Sequence, residues 1–157
     1  EAIEACRRPP PPELARIVVA IDPPAGSRRG GAACGIVAAG TDAAGDVYVL
    51  AADAVIAEVN QGGEMVRAVI GEQDRSVPVI AVHAKRGKWL RAEPVAALYE
   101  QAKVKHAGRF PELEDEMCDF GLDGLSSGRS PDRLDALVWA LTDLMLTGRG
   151  EPQVRAL

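Results

Sequence analysis

The feature that most constrains the fold is a short apolar run that ends in an acid. Residues 16–22, RIVVAID, are rich in β-branched side chains and finish on Asp22. A continuous run of this kind predicts a buried strand, because a half-buried strand would alternate apolar and polar residues. An unpaired carboxylate at the edge of a core costs free energy. Asp22 therefore needs a reason other than stability for its position.

The remaining apolar segments predict an α/β fold. Further strands are expected at 34–40, 47–53, 55–58 and 77–84, and helices at 64–73, 93–103, 110–120 and from 131 towards 148. In the last helix, Ser130 is expected as the cap and Pro131 as the first helical residue. Pro94 is expected in the first turn of the helix at 93–103. This order of elements indicates a mixed β-sheet flanked by helices.

The third and fourth predicted strands are almost continuous, because one ends at Asp53 and the next begins at Val55. If the fourth strand were parallel to the first, a crossover of about a dozen residues would have to separate them. Either the two strands are wrongly divided or the chain lacks a segment here. We favour the missing segment.

The chain length of 157 residues fits one domain. Four consecutive prolines, Pro9 to Pro12, favour an extended conformation and are typical of a tether. We expect a proline-rich linker at 1–15, a single domain at 16–150 and a tail at 151–157. The first residue is Glu1 rather than Met, which indicates a fragment of a longer protein.

Composition excludes several classes of protein. The net charge of −5 excludes a uniformly basic nucleic-acid binder, although a local basic patch remains compatible with it. No apolar run approaches the roughly 18–20 residues of a membrane span, so no membrane contact is expected. The three cysteines are widely separated and form no CxxC pair, which favours free thiols and a cytoplasmic location.

Four acids follow strands or begin the last helix: Asp22, Glu58, Asp132 and Asp135. Converging carboxylates repel one another unless a cation lies among them, and hard oxygen ligands select Mg²⁺ or Mn²⁺. The ordinary alternative is that each acid is a turn residue or, for Asp132, a helix cap. Asp132 is preferred to Asp135 as a ligand because it lies nearer the start of the helix.

A local reversal of charge supplies a second signal. Residues 83–109 contain seven basic residues and two acids, and residues 110–123 contain six acids and no base. The basic residues Lys85, Arg86, Lys88 and Arg91 are candidates for contacts with a DNA backbone, because neutralised phosphates release counterions. An ordinary solvated surface is the alternative. Trp89 could stack on a base or pack internally.

Two further motifs carry less weight. The turn NQGGEMV, at 60–66, would permit close backbone approach at a helix start, but no GxxxxGK[ST] loop for ATP is present. His83 and His106 have no nucleophile beside them in the sequence, and we interpret both as structural or phosphate-contacting.

The segments VVAIDPP, AEVNQGGEMV, HAKRGKWLRAEPVAALYEQAKV, GRFPELEDEMCDF and SPDRLDALVWALTDL together resemble the nuclease domain of the large terminase subunit of tailed phages and gene transfer agents. The resemblance covers about residues 16–146. It implies an RNase H-like fold that cuts double-stranded DNA during packaging with two divalent metal ions, Mg²⁺ or Mn²⁺. The first two acids of the family fall on Asp22 and Glu58, and the last falls on Asp132 or Asp135.

The same resemblance implies an ATPase domain earlier in the full-length chain, with the portal protein and the small terminase subunit as partners. Relatives carry a helix before the strand that contains the second acid. Many have adjacent acids where this chain has Pro131-Asp132, and some have an extra acid where it reads GGAACG. Two other functions remain open: another RNase H-like nuclease such as a junction resolvase, and a non-catalytic module that docks on DNA, a portal or a capsid.

Overall fold

The computed structural model describes residues 2–23, 33–56, 79–82, 84, 87–146 and 154–156. Its helices are α1 (Ala2–Ala5), α2 (Lys88–Glu100), α3 (Pro111–Asp119) and α4 (Asp132–Leu141), the last continued by a π-helical turn (Thr142–Leu146). Its strands are β1 (Arg16–Asp22), β2 (Ala33–Thr41), β3 (Val47–Ile56), β4 (Val79–Ala81), β5 (Val104–His106) and β6 (Val154–Ala156). No helix in this part of the chain is both long and apolar enough to cross a membrane.

The described strands form one mixed sheet in the order β4-β6-β1-β2-β3-β5. Strands β1, β2 and β3 form an antiparallel meander, and β5 pairs with β3 in parallel. The register places Asp22 opposite Gly35, and Ala33 opposite Ile56. The carboxyl ends of β1 and β3 therefore lie at the same edge of the sheet, which we call the acidic edge. The predicted mixed sheet with flanking helices is confirmed.

The predicted division of residues 47–58 into two strands was wrong. Strand β3 is continuous from Val47 to Ile56, and Ala54 still pairs with Gly35 of β2. The chain makes no crossover at Ala54, so the favoured missing segment is not needed to explain this stretch. The predicted helix at 64–73 lies outside the described residues.

The helices differ from the sequence predictions mainly at their ends. Helix α2 begins at Lys88, five residues earlier than predicted, so Pro94 lies inside it rather than in its first turn. Because Pro94 has no amide hydrogen, the carbonyl of Leu90 lacks its usual helical hydrogen bond. Leu90 is exposed, so water can bond to that carbonyl instead. The cap of α4 is Pro131 rather than Ser130, and its carbonyl accepts the Asp135 amide at 2.8 Å. Strands β5 and β6 were not predicted.

The core lies between the sheet and helices α2, α3 and α4. Helix α4 is buried over most of its length, and the fully buried Leu137 and Leu141 face sheet residues such as Val37 and Val49. Burying a leucine or valine side chain fully contributes roughly 1.5–3 kcal/mol, so this helix is a major source of stability.

Part of the predicted linker is attached to the domain. His106 of β5 donates its amide to the carbonyl of Cys6 at 3.0 Å, and its carbonyl accepts the amide of Arg8 at 3.1 Å. Arg7 donates two hydrogen bonds to the carboxylate of Glu114, at 2.9 and 2.8 Å. Residues 6–8, which follow α1, thus pair with the β5 edge of the sheet. The domain boundaries inferred from the sequence stay a prediction.

Candidate active site

The start of α4 packs directly on the acidic edge of the sheet. A Cβ atom added to Gly35 would lie 1.9 Å from the carbonyl oxygen of Asp132 and 2.9 Å from the amide nitrogen of Arg133. Only a glycine admits so close an approach of two backbones. Because Gly35 is the register partner of Asp22, this contact brings Asp132 next to Asp22. Asp135 also acts electrostatically on Asp22, so three of the four predicted acids are near one another, and the fourth, Glu58, lies outside the described residues.

The electrostatic environment of Asp22 disfavours a negative charge. Burial raises the pKa of its carboxyl to about 7, and the charges of Asp135 and Asp132 act in the same direction. The nearby cations Lys88 and Arg91 oppose this rise. Burial also raises the pKa of the Cys34 thiol, to about 11, with the charges of Asp22 and Asp132 adding to the effect. A carboxyl whose pKa is raised towards neutrality by burial and by neighbouring acids is typical of a site that receives a cation or a proton.

Asp132 is not the cap of its helix. The amide of Leu134, one of the free amides of the first turn, donates to Glu116 of α3 at 2.9 Å, and Arg133 donates to the same carboxylate at 3.0 Å. Burial raises the pKa of Asp132, whereas a hydrogen bond from Ser130 and the charge of Lys88 lower it. Since Glu116 performs the capping, the Asp132 carboxylate is available for another role.

Asp135 occupies a different environment. Its side chain is 6% exposed and forms an ion pair with Lys88 through one oxygen. Its other oxygen lies 3.9 Å from a terminal nitrogen of Arg91. The Arg91 guanidinium in turn lies over the ring of Trp139, 4.8 Å from its centroid. This acid is thus paired with two cations of the same protein.

The predicted DNA-contacting residues are only partly described. Lys88 is 44% exposed at its side chain and Arg91 only 14%, so Arg91 is turned towards Asp135 and Trp139. Lys85 and Arg86 lie outside the described residues, as do the second predicted acid Glu58 and also His83. Contacts of these basic residues with DNA stay a prediction.

Other members of the basic segment have structural partners. Lys103 and Lys105 pair with Asp46 at 3.5 and 4.0 Å. His106 is fully buried and bonds to Tyr99 and Glu114, so it is structural. Much of the charge reversal seen in the sequence is therefore neutralised within the domain.

Trp89 packs on Phe120, with ring centroids 5.9 Å apart. Both rings line a cavity of about 230 Å³ between α2, α3 and α4. Trp89 nevertheless stays 40% exposed, so packing on Phe120 and stacking on a base both stay open for it.

Sequence reasoning missed two residues that position the site. Gly35 had a usable signal, because an isolated glycine in a strand can indicate close backbone approach. Glu116 gave no local signal, because its partners on α4 lie 17 and 18 residues further along the chain.

The described residues do not by themselves complete a metal site. No group of three or more His, Cys, Asp or Glu side chains suited to holding a metal ion occurs within the ranges that the structure describes. A complete set would need a further ligand from outside those ranges. Glu58 is the predicted one.

Comparison with known proteins connects this geometry to a family. Residues 51–144 match the family model described as "Terminase RNaseH-like domain". The match covers more than half of the chain and includes Glu58, Asp132, Asp135 and the predicted DNA-contacting residues, whereas Asp22 precedes it. No curated protein gives a significant match. The mixed sheet and the matched span together show that this chain belongs to the terminase RNase H-like domain family.

Proposed function

We propose that this domain is the metal-dependent endonuclease of a DNA-packaging terminase large subunit and that it cuts double-stranded DNA. The observation that carries the proposal is Asp22: a carboxyl at a sheet edge, with a pKa raised to about 7 by burial, beside the carboxylate of Asp132, which does not cap its own helix. Purely structural acids are normally buried with partners that lower their pKa.

The donor set fits a hard divalent cation. Asp22 and Asp132 offer carboxylate oxygens, which Mg²⁺ and Mn²⁺ prefer, and their mutual repulsion would be relieved by a positive ion. We assign Asp22, Glu58 and Asp132 to the metal ions, with Asp135 assisting. When bound, two such ions activate a water molecule and stabilise the leaving oxygen of a phosphodiester.

The protein supplies orientation and charge. Gly35 of β2 and Glu116 of α3 hold the start of α4 in place, and pairing of Gly35 with Asp22 fixes Asp132 relative to Asp22. Lys85 and Arg86, with the half-exposed Lys88 and with Arg91 beside it, are proposed to attract the DNA backbone. Backbone contacts carry no base information, so we expect little sequence preference from them.

The wider context follows from the family. In a terminase large subunit, this domain would follow an ATPase domain of the same chain and work with a portal protein and a small terminase subunit. The setting would be the cytoplasm of a bacterial host. These partners are proposals that rest on membership of the family.

One observation favours a second candidate, a non-catalytic module that clamps DNA or docks on the packaging complex. Lys88 and Arg91 already neutralise Asp135, and no three metal-binding side chains cluster within the described ranges. Such a module would bind DNA equally with and without metal.

Plasmid cleavage separates these candidates. The parent protein should nick and linearise supercoiled plasmid with Mn²⁺ or Mg²⁺ and lose this activity in EDTA. Asp22→Asn and Asp132→Asn should abolish cleavage, whereas Asp115→Asn, which removes an exposed acid of α3, should not. Equal cutting by Asp22→Asn and the parent would refute the assignment. Metal-independent DNA binding without nicking would support the module, and a preference for branched over linear duplex would indicate a resolvase.

A further inference from the structure

We propose that the space between α2 and α3 is a docking site for a partner protein, and that it takes an amphipathic helix flanked by Lys or Arg. We call it the α2–α3 groove: it is the mouth of the cavity of about 230 Å³ that Trp89 and Phe120 line, with α4 as its floor. Asp22, Asp132 and Asp135 do not line it. The inference therefore concerns a second surface of the domain and does not depend on the proposed nuclease activity.

The walls of the α2–α3 groove are apolar and partly open to solvent. Helices α2 and α3 both pack on α4, and buried side chains of α4 such as Leu137 and Val138 form the floor between them. The α2 wall presents Trp89, which is 40% exposed, and the exposed Ala96. The half-buried Met117 of α3 lies in the other wall. Exposed apolar side chains that line one concave surface are typical of a protein-binding site.

The size and chemistry of the cavity indicate what can enter it. Small-molecule sites typically enclose about 300–1,000 Å³, and a few convergent polar groups orient their ligands. This cavity measures about 230 Å³, and among the described residues that line it only Glu93 is charged. The hydroxyl of Tyr99, another lining residue, is already bonded to His106 at 2.8 Å. The cavity therefore suits one or two large apolar side chains, which is how the anchor residues of a protein partner bind.

Two acids of α2 indicate the charge of the partner. Glu93 lines the cavity, and Glu100 lies seven residues further along the same helix face. Both residues are exposed, and no ion pair between described residues involves either carboxylate. Unpaired anions at the rim of the groove attract Lys or Arg and repel the phosphates of DNA. The rim therefore favours a basic protein segment over a nucleic acid.

The spacing along α2 favours a helical partner. Trp89, Glu93, Ala96 and Glu100 follow the i, i+4, i+7, i+11 pattern of one helix face. The small side chain of Ala96, between the two acids, allows a second helix to approach to an interaxial distance of about 8–10 Å. Large apolar residues one turn apart on that helix would fill the cavity, and Lys or Arg two turns apart would meet both acids. An extended peptide alternates its side chains between two faces and does not match this pattern.

The test measures binding of a designed peptide to the full 157-residue chain. The probe is a fluorescein-labelled, alanine-rich helical peptide of about 16 residues, with leucines at i, i+3, i+4 and i+7 and two lysines seven residues apart. Fluorescence anisotropy should show saturable binding with a Kd below about 100 μM. A peptide of the same composition in scrambled order, which loses the apolar face, should bind at least about tenfold more weakly.

Substitutions in the protein locate the peptide. Ala96→Phe places a bulky ring in the groove and should weaken binding more than about tenfold, while the thermal midpoint should not fall because residue 96 is exposed. Glu93→Gln combined with Glu100→Gln should weaken binding about threefold to tenfold. Glu112→Gln combined with Asp115→Asn is the matched control, because it removes two charges from exposed positions of α3 that do not line the cavity. This control should change the affinity by less than about twofold.

Four results would overturn the inference. One is the absence of saturable peptide binding below about 1 mM. Another is equal weakening by the two pairs of charge substitutions, which would mean that the peptide responds only to net charge. If duplex DNA displaced the peptide and Ala96→Phe weakened DNA binding as strongly, the groove would be a nucleic-acid site. If the parent were a dimer that Ala96→Phe made monomeric in sedimentation, the occupant would be a second copy, which the net charge of −5 on each chain disfavours.

Discussion

Two carboxylates of this domain, Glu114 and Asp22, sit in opposite environments. Glu114 accepts two hydrogen bonds from Arg7 and one from the amide of Phe110, and it also contacts His106. These interactions lower the pKa of Glu114 to about 2, and the hydrogen bonding to Arg7 has the largest effect. Burial and neighbouring acids instead raise the pKa of Asp22 to about 7.

The contrast separates an acid that stabilises the fold from an acid that we propose as a metal ligand. The Glu114 network ties residues 2–8 to β5 and α3, and its charge stabilises the folded protein. The charge of Asp22 opposes folding, because it is desolvated and repelled by Asp132 and Asp135. A domain keeps such a charge where function requires it.

The largest effect is expected for Asp22→Asn, which should remove activity without lowering stability. Asp22→Asn should reduce plasmid cleavage by more than about 100-fold, since even the supporting partners of a metal are typically worth 10–100-fold. The same change should leave the metal-free thermal midpoint unchanged or raise it, because it removes a desolvated charge. Glu114→Gln should do the opposite, lowering the midpoint with cleavage per folded molecule preserved. Equal loss of cleavage in both variants would erase the distinction.

Gly35 tests whether the approach of α4 to the sheet creates the site. Gly35→Ala would force a methyl group within 1.9 Å of the Asp132 carbonyl, so we expect a loss of more than about 3 kcal/mol in unfolding free energy, together with the loss of cleavage. Gly87→Ala is the matched control, because nothing lies within 4 Å of its added Cβ. Urea unfolding of both variants measures the difference. A Gly35→Ala protein as stable as Gly87→Ala would contradict the packing described here.

Glu114 tests the other side of the comparison. Glu114→Ala would leave the Phe110 amide and the His106 ring without this acceptor, and we expect a loss of about 1–2 kcal/mol. Glu112→Ala, an exposed neighbour on α3, should be neutral within about 0.5 kcal/mol. The thermal midpoint and the rate of proteolytic cleavage within residues 2–8 should be measured for both variants. If the two variants unfold alike, the network does not hold the segment.

The two acids should also titrate in separate pH windows. The pKa of Glu114 is lowered from 4.5 to about 2, so its contribution is present above pH 4.5 and is lost as the pH falls towards 2. The pKa of Asp22 is raised from 3.8 to about 7, so metal-free protein loses stability as the pH rises from 3.8 towards 7. We would measure thermal midpoints of the parent and both variants from pH 2 to 8. Glu114→Gln should weaken the pH dependence of the midpoint below pH 4.5, and Asp22→Asn should weaken it between pH 3.8 and about 7. If both variants weakened the pH dependence in the same window, the assignment would be contradicted.

The sequence predicted the parts of the site that depend on local patterns. The run that ends in Asp22 formed the expected strand, and the segment beginning near Asp132 formed the expected helix with its apolar face buried. Both signals arise within one element, where periodicity and terminal preferences are informative. The mixed sheet followed from the order of the elements.

The remainder depended on contacts between distant segments. No local pattern links Glu116 to the amide of Leu134, or Arg7 to Glu114 across 107 residues. The division of β3 failed because Asp53 resembles a strand end, whereas pairing with β2 carries the strand on to Ile56. In β3, tertiary pairing overrode a local signal, whereas the other two contacts had no local signal at all.

The most direct test of the central claim is a crystal of the domain soaked in MnCl₂, with anomalous scattering used to locate the ions. We expect anomalous peaks at the acidic edge, at roughly 2.0–2.2 Å from carboxylate oxygens of Asp22 and Asp132. Density that places manganese away from Asp22, or an acidic edge without any peak in a soak that saturates the protein in solution, would contradict it.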